Sequence, residues 1–263
     1  MAKADSSIRL DGTPPFAELI LNKPEKRNAL SVDMWAAIPS LIEAATDDPE
    51  IKVLIVHGGE AGAFAAGADI SEFETIYATE ASARASGATI AAALDALEAC
   101  PKPTIAAIEG ACVGGGVSLA MACDLRIASQ SSSFGITPAK LGLVYPAGDT
   151  RRLLAAIGPG ATKDLLFTGR IFGAEEALLL HLIDRLVATG DAISATLEFA
   201  ADIAATSQWS TRAIKRMIAG LQSGWQDDTP EATALFVAGF SNEDFKDGYK
   251  AFLEKRKADF RFK

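Results

Sequence analysis

Thr104–Asp124 reads TIAAIEGACVGGGVSLAMACD. An apolar run, TIAAI, is followed after a short polar break by Gly114, Gly115 and Gly116, and then by an Ala-rich stretch whose next charged residue is Asp124. The pattern predicts a strand that enters a helix through a turn free of Cβ atoms. Such a turn lets backbone N–H groups approach a ligand, and the partial positive charge of the helix N-terminus behind it favours an oxyanion. Ser118 and Leu119 fall just inside the helix, so the side chain best placed to move a proton here is a hydroxyl and not a carboxylate.

Outward from this turn, strand-like and helix-like segments alternate from residue 8 to about residue 200: FAELILN, a helix from Ser31, KVLIVHG, a helix over 80–99, TIAAIEG, a helix from Val117, and DLRIAS. The fold class is therefore α/β. Ser31 is placed to cap the first helix, and Asp47, Asp48 and Pro49 supply turn chemistry at its end. Strand signals stop near residue 205, and two units are expected: 1–204, carrying the ligand site, and 205–263, a helical segment broken by the turn formers of Gly224–Pro230. Its last helix, within SNEDFKDGYKAFLEKRKADF, aligns Phe245, Tyr249, Phe252 and Leu253 along one side, which fits either its own core or docking to another domain or subunit.

The 263 residues are 49% hydrophobic, enough for a sizeable core, and the net charge of −9 argues against a nucleic-acid or anionic-membrane binder. Cys100, Cys112 and Cys123 lack zinc-ligand spacing and are expected as buried, reduced thiols; no metal is expected. MAKADSSIRL has no apolar signal core, and no run approaches the ~18 apolar residues of a membrane span, so a soluble, cytoplasmic protein is expected.

Five segments in register carry a resemblance: LNKPEKRNAL (21–30), FAAGADI (64–70), EGACVGGGVSLAMACDLRIAS (109–129), FGITPAKLGLVYPAGDTRRL (134–153) and LLFTGRIFGAEEALLLHLIDRLV (165–187). Together with the C-terminal AFLEKRKADF they resemble the enoyl-CoA hydratase/isomerase (crotonase) superfamily over nearly the whole chain. The resemblance implies a crotonase-like spiral of ββα units with a C-terminal helical oligomerisation segment that builds homotrimers, often paired into hexamers. It implies an acyl-CoA substrate, with coenzyme A present only as part of the thioester and no tightly bound cofactor. In that family two backbone N–H groups hold the thioester oxygen, and they map onto Ala68 and Gly115. Lys23, Lys26 and Arg27 map onto the loop that skirts the adenine and phosphates, Ala66 belongs with the coenzyme-binding residues of FAAGADI, and Lys255, with Arg256 and Lys257, can add phosphate contacts. Ser71 stands where related hydratases often carry a lysine.

The chain departs from the family where the two hydratase glutamates belong. Ser118 occupies the first position, and Pro138 or Ala139 the second. Each lost acid–base function removes typically 10²–10⁴-fold, so ordinary hydration is not expected. Tyr145, with the Thr137–Gly142 run, resembles the methylmalonyl-CoA decarboxylases of the family, although those carry a glutamate at the Ser118 position. Asp149 lies where some members place acidic catalytic residues nearby; alternatively it caps the following helix or pairs with Arg151 or Arg152. Asp69 is expected to orient its loop, and Glu72 or Glu74 to be near enough to swing in as a base. His57 is expected on a polar surface and His181 in a packing role. Three readings follow: an enzyme of the hydratase/isomerase type, a decarboxylase, and a noncatalytic acyl-CoA-binding relative. A serine hydrolase built on GVSLA is a remote fourth, because Ala120 replaces the last glycine of the nucleophile elbow and the downstream His181 lies in a helical run.

Overall fold

The computed structural model describes residues 7–262. The reading of MAKADSSIRL as leaderless therefore falls largely on residues outside those described. β1 (Ile8–Asp11) and β2 (Phe16–Leu21) form an antiparallel hairpin, of which the sequence pattern marks only the second strand. α1 (Val32–Asp47) starts where Ser31 accepts a hydrogen bond from the Met34 N–H and ends at Asp48, as the capping chemistry predicts.

Three ββα turns then follow. β3 (Val53–His57) and β4 (Ala63–Ala65) lead to α2 (Phe73–Ile76) and α3 (Glu80–Ala99). β5 (Thr104–Ile108) and β6 (Ala111–Val113) lead to α4 (Gly115–Met121), and β7 (Leu125–Ser129) and β8 (Ser133–Gly135) lead to α5 (Ala147–Thr168). The chain continues through β9 (Ile171–Gly173), α6 (Ala174–Leu179), β10 (Arg185–Val187) and α7 (Ala192–Ala204), and ends in α8 (Gln208–Gln222), α9 (Pro230–Ala238) and α10 (Glu243–Glu254).

Each turn sends its first strand to a six-stranded sheet, ordered β1-β2-β3-β5-β7-β10, and its second to a four-stranded sheet, ordered β4-β6-β8-β9. Apart from β1/β2 and β8/β9, all pairs are parallel. The central strands β3 and β5 of the large sheet are buried on both faces, which is why they read as continuous apolar runs. Leu54 and Val56 face the main core, whereas Val53 and Ile55 join Ile105, Ala107 and Ile127 under Ala200 and Ala204 of α7.

Cys100, Cys112 and Cys123 are buried free thiols, and burial pushes Cys123 up to about 12. Among the described residues no helix is long and apolar enough to cross a membrane.

Both histidine expectations need correction. His57 is buried at the end of β3, where its Nε2 lies 2.9 Å from Glu18 Oε2 and its Nδ1 accepts the Gly59 N–H. Since Nδ1 accepts, Nε2 carries the proton toward Glu18. Burial, offset only in part by Glu18, lowers the His57 pKa and favours this neutral ring. His181 is exposed with φ 61°, in a left-handed turn after α6, and packs against no core.

Candidate active site

The site begins with a register. In the small sheet Ala65 of β4 pairs with Cys112 of β6, and three residues beyond each lie Ala68 and Gly115. Parallel pairing therefore sets the two chain segments side by side at the carboxyl ends of the strands, where α/β folds gather ligands. A Cβ placed on Gly115 would stand 3.9 Å from the Ala68 nitrogen, a measure of how close the segments run. The Ala68 N–H has no acceptor among the described residues. Gly115 is the first residue of α4, so its N–H lies outside the helical ladder. Two backbone donors without a backbone acceptor thus belong to neighbouring segments.

The three glycines have three different causes. Gly114 adopts φ 52°, ψ −112°, a conformation hostile to side chains. A Cβ on Gly115 would come within 3.2 Å of Trp35 and 3.5 Å of Leu30, both buried. At Gly116 a Cβ would meet the Ala65 carbonyl oxygen at 2.6 Å, so α4 can sit this close to β4 only without one.

Behind the donors lies a buried polar cluster. Ser118 projects from the first full turn of α4, Tyr145 comes from the loop after β8, and Asp149 sits in the first turn of α5; they are 2%, 8% and 5% exposed. Ser118 Oγ lies 2.7 Å from Tyr145 Oη and donates to Asp149 Oδ2 at 2.8 Å. A serine hydroxyl has one proton. With that proton donated to Asp149 Oδ2, the Tyr145 hydroxyl must donate to Ser118, and the chain runs Tyr145 to Ser118 to Asp149. Burial, the largest influence, raises the Asp149 pKa; the Ser118 bond and the Arg152 charge offset it only in part, and Asp95 raises it further. Burial, reinforced by Asp149, also raises the Tyr145 pKa, so the phenol keeps its proton. Asp149 does not cap α5, whose N-cap is Pro146; it pairs instead with Arg152 at 3.4 Å.

The other expected site residues make contacts of their own. Lys23 and Lys26 both reach Asp69 Oδ2 at 2.7 Å, and Lys26 also donates to Ser71 Oγ at 2.9 Å. Hydrogen bonds from Lys23, Lys26 and Ser71 hold the buried Asp69 carboxyl well below the usual carboxylate range. Asp69 thus ties the 21–30 loop to the 64–70 loop. Arg27 is exposed with φ 51°, and its carbonyl accepts the Ala66 N–H at 3.0 Å. Lys255, exposed with φ 56°, is the C-cap of α10, while Arg256 is engaged by Asp247 and Glu254. Glu72 accepts the Val32 N–H at 2.9 Å and so caps α1, and Glu74 is exposed. Pro138 and Ala139 form part of a short 3-10 turn and bring no carboxylate to the site.

No histidine contacts Ser118 among the described residues: His57 is bonded to Glu18 and His181 is exposed. The serine-hydrolase reading therefore lacks its base. The sequence reading offered Arg152 as a partner of Asp149 but missed that its guanidinium also meets Asp95 at 2.6 Å and Glu98 at 2.7 Å. An arginine next to an aspartate-led helix start was the available signal, but its α3 partners are more than fifty residues away in sequence.

A two-sheet ββα spiral with paired backbone donors at the strand ends is the architecture expected of the crotonase superfamily, and residues 15–263 match the enoyl-CoA hydratase/isomerase family model. The chain belongs to that family. It is 36% identical to a crotonyl-CoA hydratase of Syntrophomonas wolfei over 98% of both chains, and 33% identical to a short-chain-enoyl-CoA hydratase of Clostridium acetobutylicum over 97% of both. Among solved structures, an enoyl-CoA hydratase/isomerase family protein from Hyphomonas neptunium superposes with a TM-score of 0.97 at 69% identity, covering 98% of each chain. An enoyl-CoA hydratase/carnithine racemase from Magnetospirillum magneticum superposes with a TM-score of 0.94 at 33% identity, covering 99% of this chain and 97% of that one.

Proposed function

We propose that this protein is an acyl-CoA enzyme of the hydratase/isomerase type that holds the thioester oxygen between the N–H groups of Ala68 and Gly115. The observation that carries this reading is their juxtaposition across the β4/β6 pair, next to the Tyr145–Ser118–Asp149 cluster. Negative charge developing on that oxygen is stabilised by donors already in place, typically ~2.7–4 kcal/mol for each. One protonatable cluster replaces the two usual glutamates. It suits reactions that move a single proton, such as isomerisation of a 3-enoyl to a 2-enoyl thioester. A proton leaves C2 for Asp149 through the Ser118 hydroxyl, the electron pair passes to the thioester oxygen, and the proton returns at C4. An aspartate whose pKa is raised by burial is a stronger base than an ordinary carboxylate, which suits a group that takes a proton and returns it.

Decarboxylation of a malonyl-type thioester is the second reading, favoured by the Tyr145 hydroxyl, which stays protonated and can help resupply a proton to the enolate. A noncatalytic acyl-CoA binder is the third, and it rests on the absent glutamates. Coenzyme A enters only as part of the substrate. Its phosphates are met by Lys23, Lys26 and Arg27 on release from Asp69 or through their exposed faces, with Ala66 at the adenine and Lys255 from a neighbouring subunit. We further propose that 1–204 forms the ligand-binding unit and 205–263 the segment that builds trimers or hexamers. Phe245, Tyr249, Phe252 and Leu253, all exposed on α10, support that assignment.

The deciding experiment incubates the purified protein with 2-enoyl-, 3-enoyl-, 3-hydroxyacyl- and malonyl-type CoA thioesters and follows products by mass spectrometry. Isomerisation of the 3-enoyl ester with slow hydration of crotonyl-CoA is expected. Hydration at the rate of a typical two-glutamate hydratase refutes the single-cluster reading, and loss of CO2 selects the second one.

A further inference from the structure

Arg152 is buried, and its guanidinium is shared unequally among three carboxylates. Nη2 meets Asp95 Oδ1 at 2.6 Å and Glu98 Oε2 at 2.7 Å, Nε meets Glu98 Oε2 at 3.0 Å, and only Nη1 reaches Asp149 Oδ1, at 3.4 Å. The short bonds thus go to α3 and the long one to the cluster. Asp95 and Glu98 lie one turn apart at the end of α3, the first open to solvent and the second half-buried, while Asp149 is enclosed. Arg151 also donates to Glu98, at 2.7 Å, so a surface network of two arginines and two carboxylates ends on a single interior carboxyl.

We propose that Arg152 is a positioning residue through which the surface carboxylates Asp95 and Glu98 set the pH at which Asp149 gives up its proton. This rests on the reading of Asp149 as the proton-carrying group. The groups facing Asp149 are few: Ser118 from α4, Tyr145 from the preceding loop with Cys112 of β6 nearby, Arg152 on its own helix, and Asp95 and Glu98 from α3 beyond it. Of these, Arg152 alone favours the carboxylate by its charge, and the two α3 carboxylates oppose it. Both neutralise the guanidinium, and Asp95 also repels the Asp149 anion directly. Removing either one acts in the same direction on Asp149, toward easier ionisation.

The test follows the carboxyl carbon of Asp149 by 13C NMR in the full chain labelled at aspartate, with the resonance identified by its loss in Asp149→Asn. Asp95→Asn changes an exposed position and Glu98→Gln a half-buried one; each should lower the titration midpoint of Asp149 by about half to one pH unit, whereas Arg152→Gln should raise it. The pH profile of kcat/KM for 3-hexenoyl-CoA should move with the NMR midpoint. A merely structural role for the network predicts a change in melting temperature or in overall rate with the midpoint in place. An unmoved midpoint in both folded α3 variants overturns the proposal while leaving Asp149 as a candidate base. An Asp149→Asn protein with the activity and pH profile of the parent overturns the underlying assignment instead, whatever the NMR midpoints do.

Discussion

Gly115 offers the most direct test of the backbone donor pair. Its backbone tolerates a side chain, but the space around it does not: a Cβ there contacts Trp35 at 3.2 Å and Leu30 at 3.5 Å, with the Ala68 nitrogen at 3.9 Å. Gly115→Ala must push the buried indole by a few tenths of an ångström, and Gly115→Val adds two methyls to a Cβ already 3.9 Å from the Ala68 nitrogen. Overpacking of this kind costs about 1–3 kcal/mol of stability, which a family member with an extensive core survives. Loss of one oxyanion donor is the larger effect on the reaction. It amounts to roughly 2.7–4 kcal/mol of barrier, or about 10²–10³ in kcat. The assay is kcat and KM on the thioester that the wild-type protein turns over, with the melting temperature measured in parallel. A folded Gly115→Val protein with wild-type kinetics refutes the donor assignment, since the thioester oxygen then cannot sit between Ala68 and Gly115.

Other expected outcomes are spread over the fold. Asp69 has a folded-state pKa below its unfolded value, so its pairs stabilise the protein above the ordinary carboxylate range and that contribution is lost as pH falls toward the folded pKa. The urea midpoints of wild type and Asp69→Asn should therefore converge on acidification; a constant gap contradicts the pairing. His181→Gly relieves a left-handed residue at φ 61° and should raise stability by up to ~1 kcal/mol in urea unfolding, after the added freedom of the unfolded glycine is deducted. Phe252→Glu combined with Leu253→Glu places charge on the exposed stripe of α10 and should leave monomers in analytical ultracentrifugation. An unchanged oligomer removes that face from the proposed interface.

Elements that depend on neighbours in sequence are legible in the order of residues alone. Ser31 and Asp48 bracket α1, and Glu80–Ala99 is the helix expected over 80–99. The three-residue strands of the small sheet are not, because Ala63–Ala65 or Ser133–Gly135 is too short to show alternation and is defined only by pairing with distant segments. Distance in sequence also hides the environments of single residues. His57 is buried by a partner on β2, 39 positions away, and Lys23 and Lys26 meet Asp69 across more than 40 positions. Tyr145, Ser118 and Asp149 each stand out separately; their contact needs the loop after β8 to fold back over α4.

On the proposed reading, the β4/β6 register separates what the protein grips from what it does to the thing gripped. Its two donors belong to the main chain and are spaced by strand pairing, so substitutions at Ser118, Tyr145 or Asp149 can alter the proton chemistry without moving them. A lineage in which those donors hold the thioester is free to exchange one reaction for another by changing a few side chains on α4 and α5, while the thioester oxygen stays held throughout.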